Sequence, residues 1–190
     1  MKRTLIAASL AFIALGSAQA QTVSYGIDPT HTFANFEIGH MGTSTLRGRF
    51  DKKEGTVQFD RAARTGSVDI TIDIGSINTG VEPLNTHLLS EDFFNASKFP
   101  TARFVSSQFN FSGDKVTDVT GWLTLLGKTL PVTLRATQFN CYQNPMFKRE
   151  VCGGDFEATI QRSHWGMGWG LNMGVPDHVR LLVQVEAIRQ

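Results

Sequence analysis

"SVDITIDIGSI", residues 67–77, sets how the rest of the chain is read. Side chains of an extended strand alternate between two faces, so Val68, Ile70, Ile72 and Ile74 fall on one side and Asp69, Thr71 and Asp73 on the other. This is a strand with one dry face and one wet face. The same period of two recurs at Val23-Tyr25-Ile27, Ala34-Phe36-Ile38, Val57-Phe59, Val105 through Phe111, Leu130-Val132-Leu134, Phe156-Ala158-Ile160 and Val179-Leu181-Val183-Val185. With the run from Trp122 to Leu126, the pattern predicts roughly eight to ten strands.

The stretches between these runs are short and polar. "DKKEG" at 51–55, "FSGDK" at 111–115 and Gly127-Lys128 in "LLGKTLPV" read as tight connections, which join antiparallel neighbours. No alternation of strand and helix is present, so the fold class is all-β. A sheet of this many antiparallel strands closes into a barrel or folds into a sandwich. In a barrel of about eight strands the interior is either filled by side chains or holds one small ligand. The inward candidates are almost all Val, Ile, Leu and Phe, so anything held would be apolar.

One segment breaks the pattern. "THLLSEDFFNASKFPTARF", residues 86–104, crowds Leu88, Leu89, Phe93, Phe94, Phe99 and Phe104 together. With Asn85 and Thr86 as a start signal and Pro100 as a stop, it predicts one short helical insert near residues 85–96. Leu89 and Phe93, four apart, would share a helix face. Such an insert either covers a barrel end as a lid or fills it as a plug.

Residues 1–20 have the form of a secretory leader: Lys2-Arg3, an apolar run from Leu5 to Leu15, then Ala18-Gln19-Ala20. The expected domain is therefore residues 21–190, exported to the periplasm. Without Lys2 and Arg3 the chain holds 16 basic and 17 acidic residues, a formal charge of −1, which argues against nucleic acid or an anionic membrane surface as the main partner. In that compartment Cys141 and Cys152 are expected to form a disulfide clipping a hairpin loop.

The five histidines do not form a chelating pattern. His31 and His40 are nine apart, an odd separation that sends side chains to opposite faces of a strand, and no H-x-H or H-E-x-x-H occurs. No G-x-S-x-G elbow is present either. Neither a catalytic constellation nor a metal site is expected.

"DPTHTFANFEIGHMGTSTLRGRF", "HLLSEDFFNASKFPTARF", "GWLTLLGKTLPVTL", "IQRSHWGMGW" and "DHVRLLVQVEAI", in this order, resemble the YceI-like family of bacterial periplasmic proteins. The resemblance spans essentially the whole chain after the leader. It implies a single lipocalin-like antiparallel β-barrel that binds a long isoprenoid-type or other amphiphilic lipid. Where the family usually has R-x-D-F-G, this chain has Arg162-Ser163-His164-Trp165-Gly166.

The combined expectation is non-enzymatic binding, transport or sequestration of a long-chain amphiphile of the isoprenoid, isoprenoid quinone or polyprenyl phosphate class. No other cofactor is required. The expected apolar lining is Phe36, Ile38, Ile70 and Ile72; Leu89, Phe93 and Phe94 of the insert; then Phe109, Trp122, Val132, Leu134, Leu181 and Val183. Arg162 is the leading head-group candidate, with His31, His164 and Trp165 as neighbours, and an ion pair tying down a loop is an equal reading of Arg162. The partner is a hydrophobic small molecule, with transient contact to a membrane or a membrane enzyme; a monomer and a homodimer both remain open. The competing readings are an enzyme acting on a lipid or quinone in the same pocket, and a barrel with a filled core.

Overall fold

The computed structural model describes residues 23–146 and 148–190, so the expected leader lies outside the described residues. Among them, eleven strand segments form one sheet: β1 (Val23–Ile27), β2 (Phe33–His40), β3 (Ser44–Phe50), β4 (Lys53–Asp60), β5 (Thr65–Asp73), β6 (Ile77–Asn78), β7 (Thr101–Ser112), β8 (Lys115–Leu125), β9 (Lys128–Asn144), β10 (Arg149–Gln161) and β11 (His178–Arg189). The order β1-β4-β5-β7-β8-β9-β10-β11 closes through the pairing of β11 with β1, giving an eight-stranded antiparallel barrel. Closure removes the edges of the eight-strand ring.

The other three segments continue strands of the ring. β2 follows β1 after the turn at Asp28, β3 runs into β4 across Asp51 and Lys52, and β5 runs into β6 across Ile74–Ser76. They extend the wall on one side in the order β11-β2-β3-β6. "DKKEG" is therefore a kink within a continuing strand rather than a hairpin. Its Lys53 and Glu54 already pair with Ile72 and Thr71.

The two ends of the barrel differ. The turns after β4, β7 and β9 share one end, where Phe59 packs against Tyr25, Phe111 and Phe139 with ring centroids 6.4, 6.0 and 5.6 Å apart. This aromatic cluster fills that end. The other end carries the β2–β3 tip, the β8–β9 turn, the one α-helix among the described residues and the loop between β10 and β11. The β8–β9 turn is Leu126-Gly127, one residue earlier than expected, with Leu125 paired to Lys128 and both turn residues at positive φ (51° and 72°). That is the backbone a two-residue hairpin needs for its twist to match the strands.

The helix α1 is Glu82–Leu89, earlier and shorter than the predicted 85–96. Pro83 lies in its first turn, where a missing N–H costs nothing and the fixed φ favours helix. Asn85 does not cap a helix start. Its Oδ1 accepts from the Thr79 N–H at 2.9 Å and the Thr79 hydroxyl at 2.7 Å, holding the incoming loop. Ser90 ends the helix in extended conformation, with its hydroxyl donating to the His87 carbonyl at 2.7 Å. Residues 91–99 then run as turns, so Leu89 and Phe93 do not share a helix face.

Cys141 and Cys152 are bonded. They sit directly opposite each other in the β9–β10 ladder, three pairs before the turn, with Cα atoms 4.1 Å apart, so the bond clips this hairpin as expected.

Candidate functional site

The interior of the barrel is a cavity of about 640 Å³, within the size range of sites for small organic ligands. β5 supplies Val68, Ile70 and Ile72, with Ile74 just beyond it, which confirms the register read from "SVDITIDIGSI". On the outer face Asp69 forms an ion pair with Arg103 of β7. Phe36 and Ile38 from β2, Val132 and Leu134 from β9, and Leu181 and Val183 from β11 also line the cavity as expected.

Two bulges decide which aromatics point inward. On β7 the pairing shifts between Val105 and Gln108, so the inward set changes from Ala102 and Phe104 to Phe109. Ser106 holds this bulge: its buried hydroxyl donates to the Thr120 carbonyl at 2.5 Å and accepts from the Gln108 N–H at 3.0 Å. On β9 a second shift, opposite Asp155 and Phe156, brings Phe139 inward after Val132 and Leu134. A bulge adds one residue and so reverses the facing of everything after it. Phe109 and Phe104 lie across Gly66 and Gly121, where an added Cβ would come within 2.4 and 2.6 Å of the rings.

Trp122 is a correction. It leaves β8 on the outer face and is 57% exposed, while Leu123 and Leu125 turn into the cavity. The neighbours on its face are polar: Thr120 and Thr124 share hydrogen bonds with Thr133 and Thr129 of β9 at 2.9 and 2.8 Å. Those two threonines were the available sequence signal. Leu89 is a second correction, since Leu84, His87 and Leu88 form the stripe of α1 that faces the cavity. Leu89 packs against the barrel core instead.

The head-group candidates separate. His31 lies in the β1–β2 turn and does not line the cavity; its Nδ1 is 2.8 Å from Asp28 Oδ2, and this hydrogen bond raises its pKa. Burial pushes the Asp28 carboxyl up, but hydrogen bonds from Thr30 and His31 outweigh it and hold the group at about 2. His164 is exposed outside the cavity, and Trp165 is buried beside it with its indole N–H donating to the Leu123 carbonyl at 3.2 Å.

Arg162 alone of the four lines the cavity, and it is 2% exposed. Its guanidinium donates to the carbonyls of Pro176, Met167 and Val175 at 2.8, 2.9 and 3.3 Å. Burial lowers its pKa, against the opposing field of Asp177. Asp177 itself accepts from the Ser163 N–H and hydroxyl at 2.8 and 2.7 Å, so the fork holds the 163–177 loop through carbonyls rather than through an ion pair.

A cation that sequence reading missed is Lys53. It lines the cavity where β3 kinks into β4, with Nζ 4.6 Å above the Phe33 ring centroid and burial lowering its pKa. Its Nζ also donates to the Asp51 carbonyl at 3.3 Å, and Thr32 is on the lining with its hydroxyl donating to the Glu186 carbonyl at 3.1 Å.

The rim is a ring of turns and side chains. Met41 at the β2–β3 tip approaches Gly174, and Trp169 meets both His87 and Phe93, with ring centroids 4.7 and 5.2 Å apart. Phe94, next in sequence to Phe93, turns down and packs edge-on to Phe50 at 5.6 Å. The 166–174 loop carries three glycines at positive φ, Gly166, Gly170 and Gly174. Among the described residues, no group of three or more His, Cys, Asp or Glu side chains is placed to hold a metal ion.

A closed antiparallel barrel with an apolar cavity, one filled end and a rim of loops defines a lipocalin-like fold. The particular family follows from comparison: residues 25–187 match the YceI-like domain, and the chain belongs to that family. It is 36% identical to UPF0312 protein PA0423 of Pseudomonas aeruginosa and 34% identical to Protein YceI of Salmonella arizonae, each over the full length of both chains. Among solved structures it resembles Burkholderia cenocepacia BcnA, with a TM-score of 0.70 and 28% identity over 84% of this chain and 98% of that one. A polyisoprenoid binding domain from Saccharophagus degradans shares the fold at a TM-score of 0.62 and 16% identity, covering 88% of this chain and 99% of that one.

Proposed function

We propose that this protein binds, carries or sequesters a long-chain amphiphilic lipid, of the isoprenoid, isoprenoid quinone or polyprenyl phosphate class, without chemically changing it. The observation that carries this reading is the cavity: about 640 Å³ bounded almost wholly by aliphatic and aromatic side chains, filled by aromatics at one end and rimmed by loops at the other. Burying each CH₂ is worth about 0.8 kcal/mol, so a dozen buried carbons outweigh several hydrogen bonds of about 1 kcal/mol each. The tail sets affinity.

The head group meets the few polar groups of the lining. Arg162 has a donor committed from each guanidinium nitrogen, whereas Lys53 commits one of its three, to the Asp51 carbonyl at 3.3 Å, so we assign the polar contact to Lys53 and loop support to Arg162. The polyisoprenoid binding domain that shares the fold supports the ligand class. The disulfide is consistent with an exported protein, and the periplasm is the compartment we infer.

Native mass spectrometry on protein purified without detergent tests the reading. A co-purifying hydrophobe, released into organic solvent and identified as a prenyl lipid, is the expected result. A clean apo mass that takes up no prenol, prenyl quinone or prenyl phosphate would overturn it.

A further inference from the structure

We propose that the mouth of the barrel is a membrane-docking surface, an apolar lip that inserts among the headgroups of a bilayer so that the cavity opens onto acyl chains rather than water. Met41, Leu46, Trp169 and Met173 carry the inference, because each lines the cavity and is also exposed at the surface. Met41 and Met173 are 57% and 50% exposed. Leu171, in the same loop as Trp169 and Met173, is exposed beside them. Large exposed apolar side chains gathered in one place mark an interaction site, whereas single ones need no explanation.

The composition of the lip selects the occupant. The loop from Gly166 to Pro176 contains no charged residue, and the tip from His40 to Leu46 has His40 as its sole ionisable side chain. A protein partner of defined register would be read through hydrogen bonds and charge pairs, and these segments offer few. They come from separate parts of the chain and ring an opening continuous with an apolar interior. A fluid apolar phase fits such a ring without a matching plug. Trp169 has the amphipathic indole suited to the bilayer interface, with Met and Leu side chains beyond it.

Charge predicts what kind of bilayer. The charges around the lip are scattered and of both signs: Lys128 donates to the His164 carbonyl at 3.5 Å, Glu91 is exposed, and Asp92 is paired with His87 at 2.9 Å. Docking is therefore driven by apolar burial, is insensitive to salt, and does not require anionic lipid. The surface is defined by exposed side chains and does not depend on which molecule the cavity holds.

Phosphatidylcholine vesicles carrying brominated acyl chains provide the test, because bromine quenches only tryptophans that reach the hydrocarbon. Trp122, on the outer wall, serves as an internal control, and Trp165 is buried in both variants. Trp122→Phe, which keeps Trp169, should be quenched on adding vesicles; Trp169→Phe, which keeps Trp122, should not. Met41→Asp with Met173→Asp should lower vesicle partitioning at least tenfold while the thermal melting midpoint of the protein stays unchanged. Raising the salt concentration should leave partitioning unchanged. The proposal fails if the full protein does not partition, if Trp122 is quenched as strongly as Trp169, or if binding follows the anionic lipid fraction. A concentration-dependent dimer that the double aspartate variant abolishes, without vesicle binding, would instead assign the lip to a second copy of the chain. Dye uptake failing in the unmodified protein would count against the cavity reading and leave the vesicle result to judge the lip.

Discussion

Trp169 stands edge-on to His87, ring centroids 4.7 Å apart, and this contact joins the loop between β10 and β11 to the helix across the barrel mouth. Phe93 completes the group at 5.0 Å from His87 and 5.2 Å from Trp169. The greasy insert thus has two jobs assigned to adjacent residues. Phe93 latches the rim, while Phe94 anchors the segment on Phe50.

That division separates two alanine variants. Phe94→Ala should destabilise the fold by about 2–3 kcal/mol, toward the low end for a buried phenylalanine because the site is only partly buried. Phe93→Ala should cost less than about 1 kcal/mol and leave rim contacts that open more often. Urea denaturation checks the first statement. Stopped-flow uptake of a hydrophobic dye checks the second, with faster entry and faster release expected. Equal losses of stability in both variants would make the whole insert a plug.

The facing of β8 gives a second prediction. Leu123→Trp places a large ring in the cavity and should reduce dye or lipid binding severalfold with little loss of stability, because it fills empty space rather than a packed core. Trp122→Ser, one residue earlier on the outer face, should leave binding unchanged. Equilibrium titration of both variants reads the difference, and the reverse order would mean that the strand faces the other way.

How much of this was legible in the sequence depends on whether the local period survives. β5 runs without interruption, so Val68, Ile70, Ile72 and Ile74 were placed on the cavity side from sequence. Phe36, Ile38, Leu181 and Val183 followed by the same logic. Trp122 shares its face with the polar Thr120 and Thr124, and that company, not the size of the ring, sets its facing. The β7 and β9 bulges were invisible, since an extra residue shows only in how a strand pairs with its neighbour. Lys53 was missed for a related reason. A kink within a strand and a turn between strands use the same Lys, Asp and Gly residues, and only the partner strands distinguish them.

Arg162 offers a third prediction. Its removal leaves the carbonyls of Met167, Val175 and Pro176 without their donors, partly or fully buried. Arg162→Ala should cost about 2–4 kcal/mol and loosen the rim loop. Arg162→Lys should recover little of it, because one ammonium cannot reproduce the planar fork that reaches three acceptors. Denaturant midpoints measure the cost. If Arg162→Lys keeps full stability but loses affinity for a prenyl phosphate, the residue is a head-group contact.

The filled end of the barrel predicts a pH dependence. Tyr25 is 2% exposed, and its hydroxyl donates to Glu150 Oε1 at 2.5 Å. Burial, reinforced by the hydrogen bond to Glu150 and its charge, pushes the phenol from 10.0 up to about 12. Between pH 10 and pH 12 the unfolded chain has therefore released this proton while the folded chain holds it. Because the unfolded state binds fewer protons there, the free energy of unfolding falls as pH rises through that window. Below pH 10 the contribution is fully present. Tyr25→Phe removes the titration, so its stability should fall less steeply across that window, although it loses about 1 kcal/mol of hydrogen bonding at neutral pH. Thermal melts of both proteins at a series of alkaline pH values measure the two slopes. Parallel slopes would mean that the phenol ionises as readily in the folded barrel as in the unfolded chain.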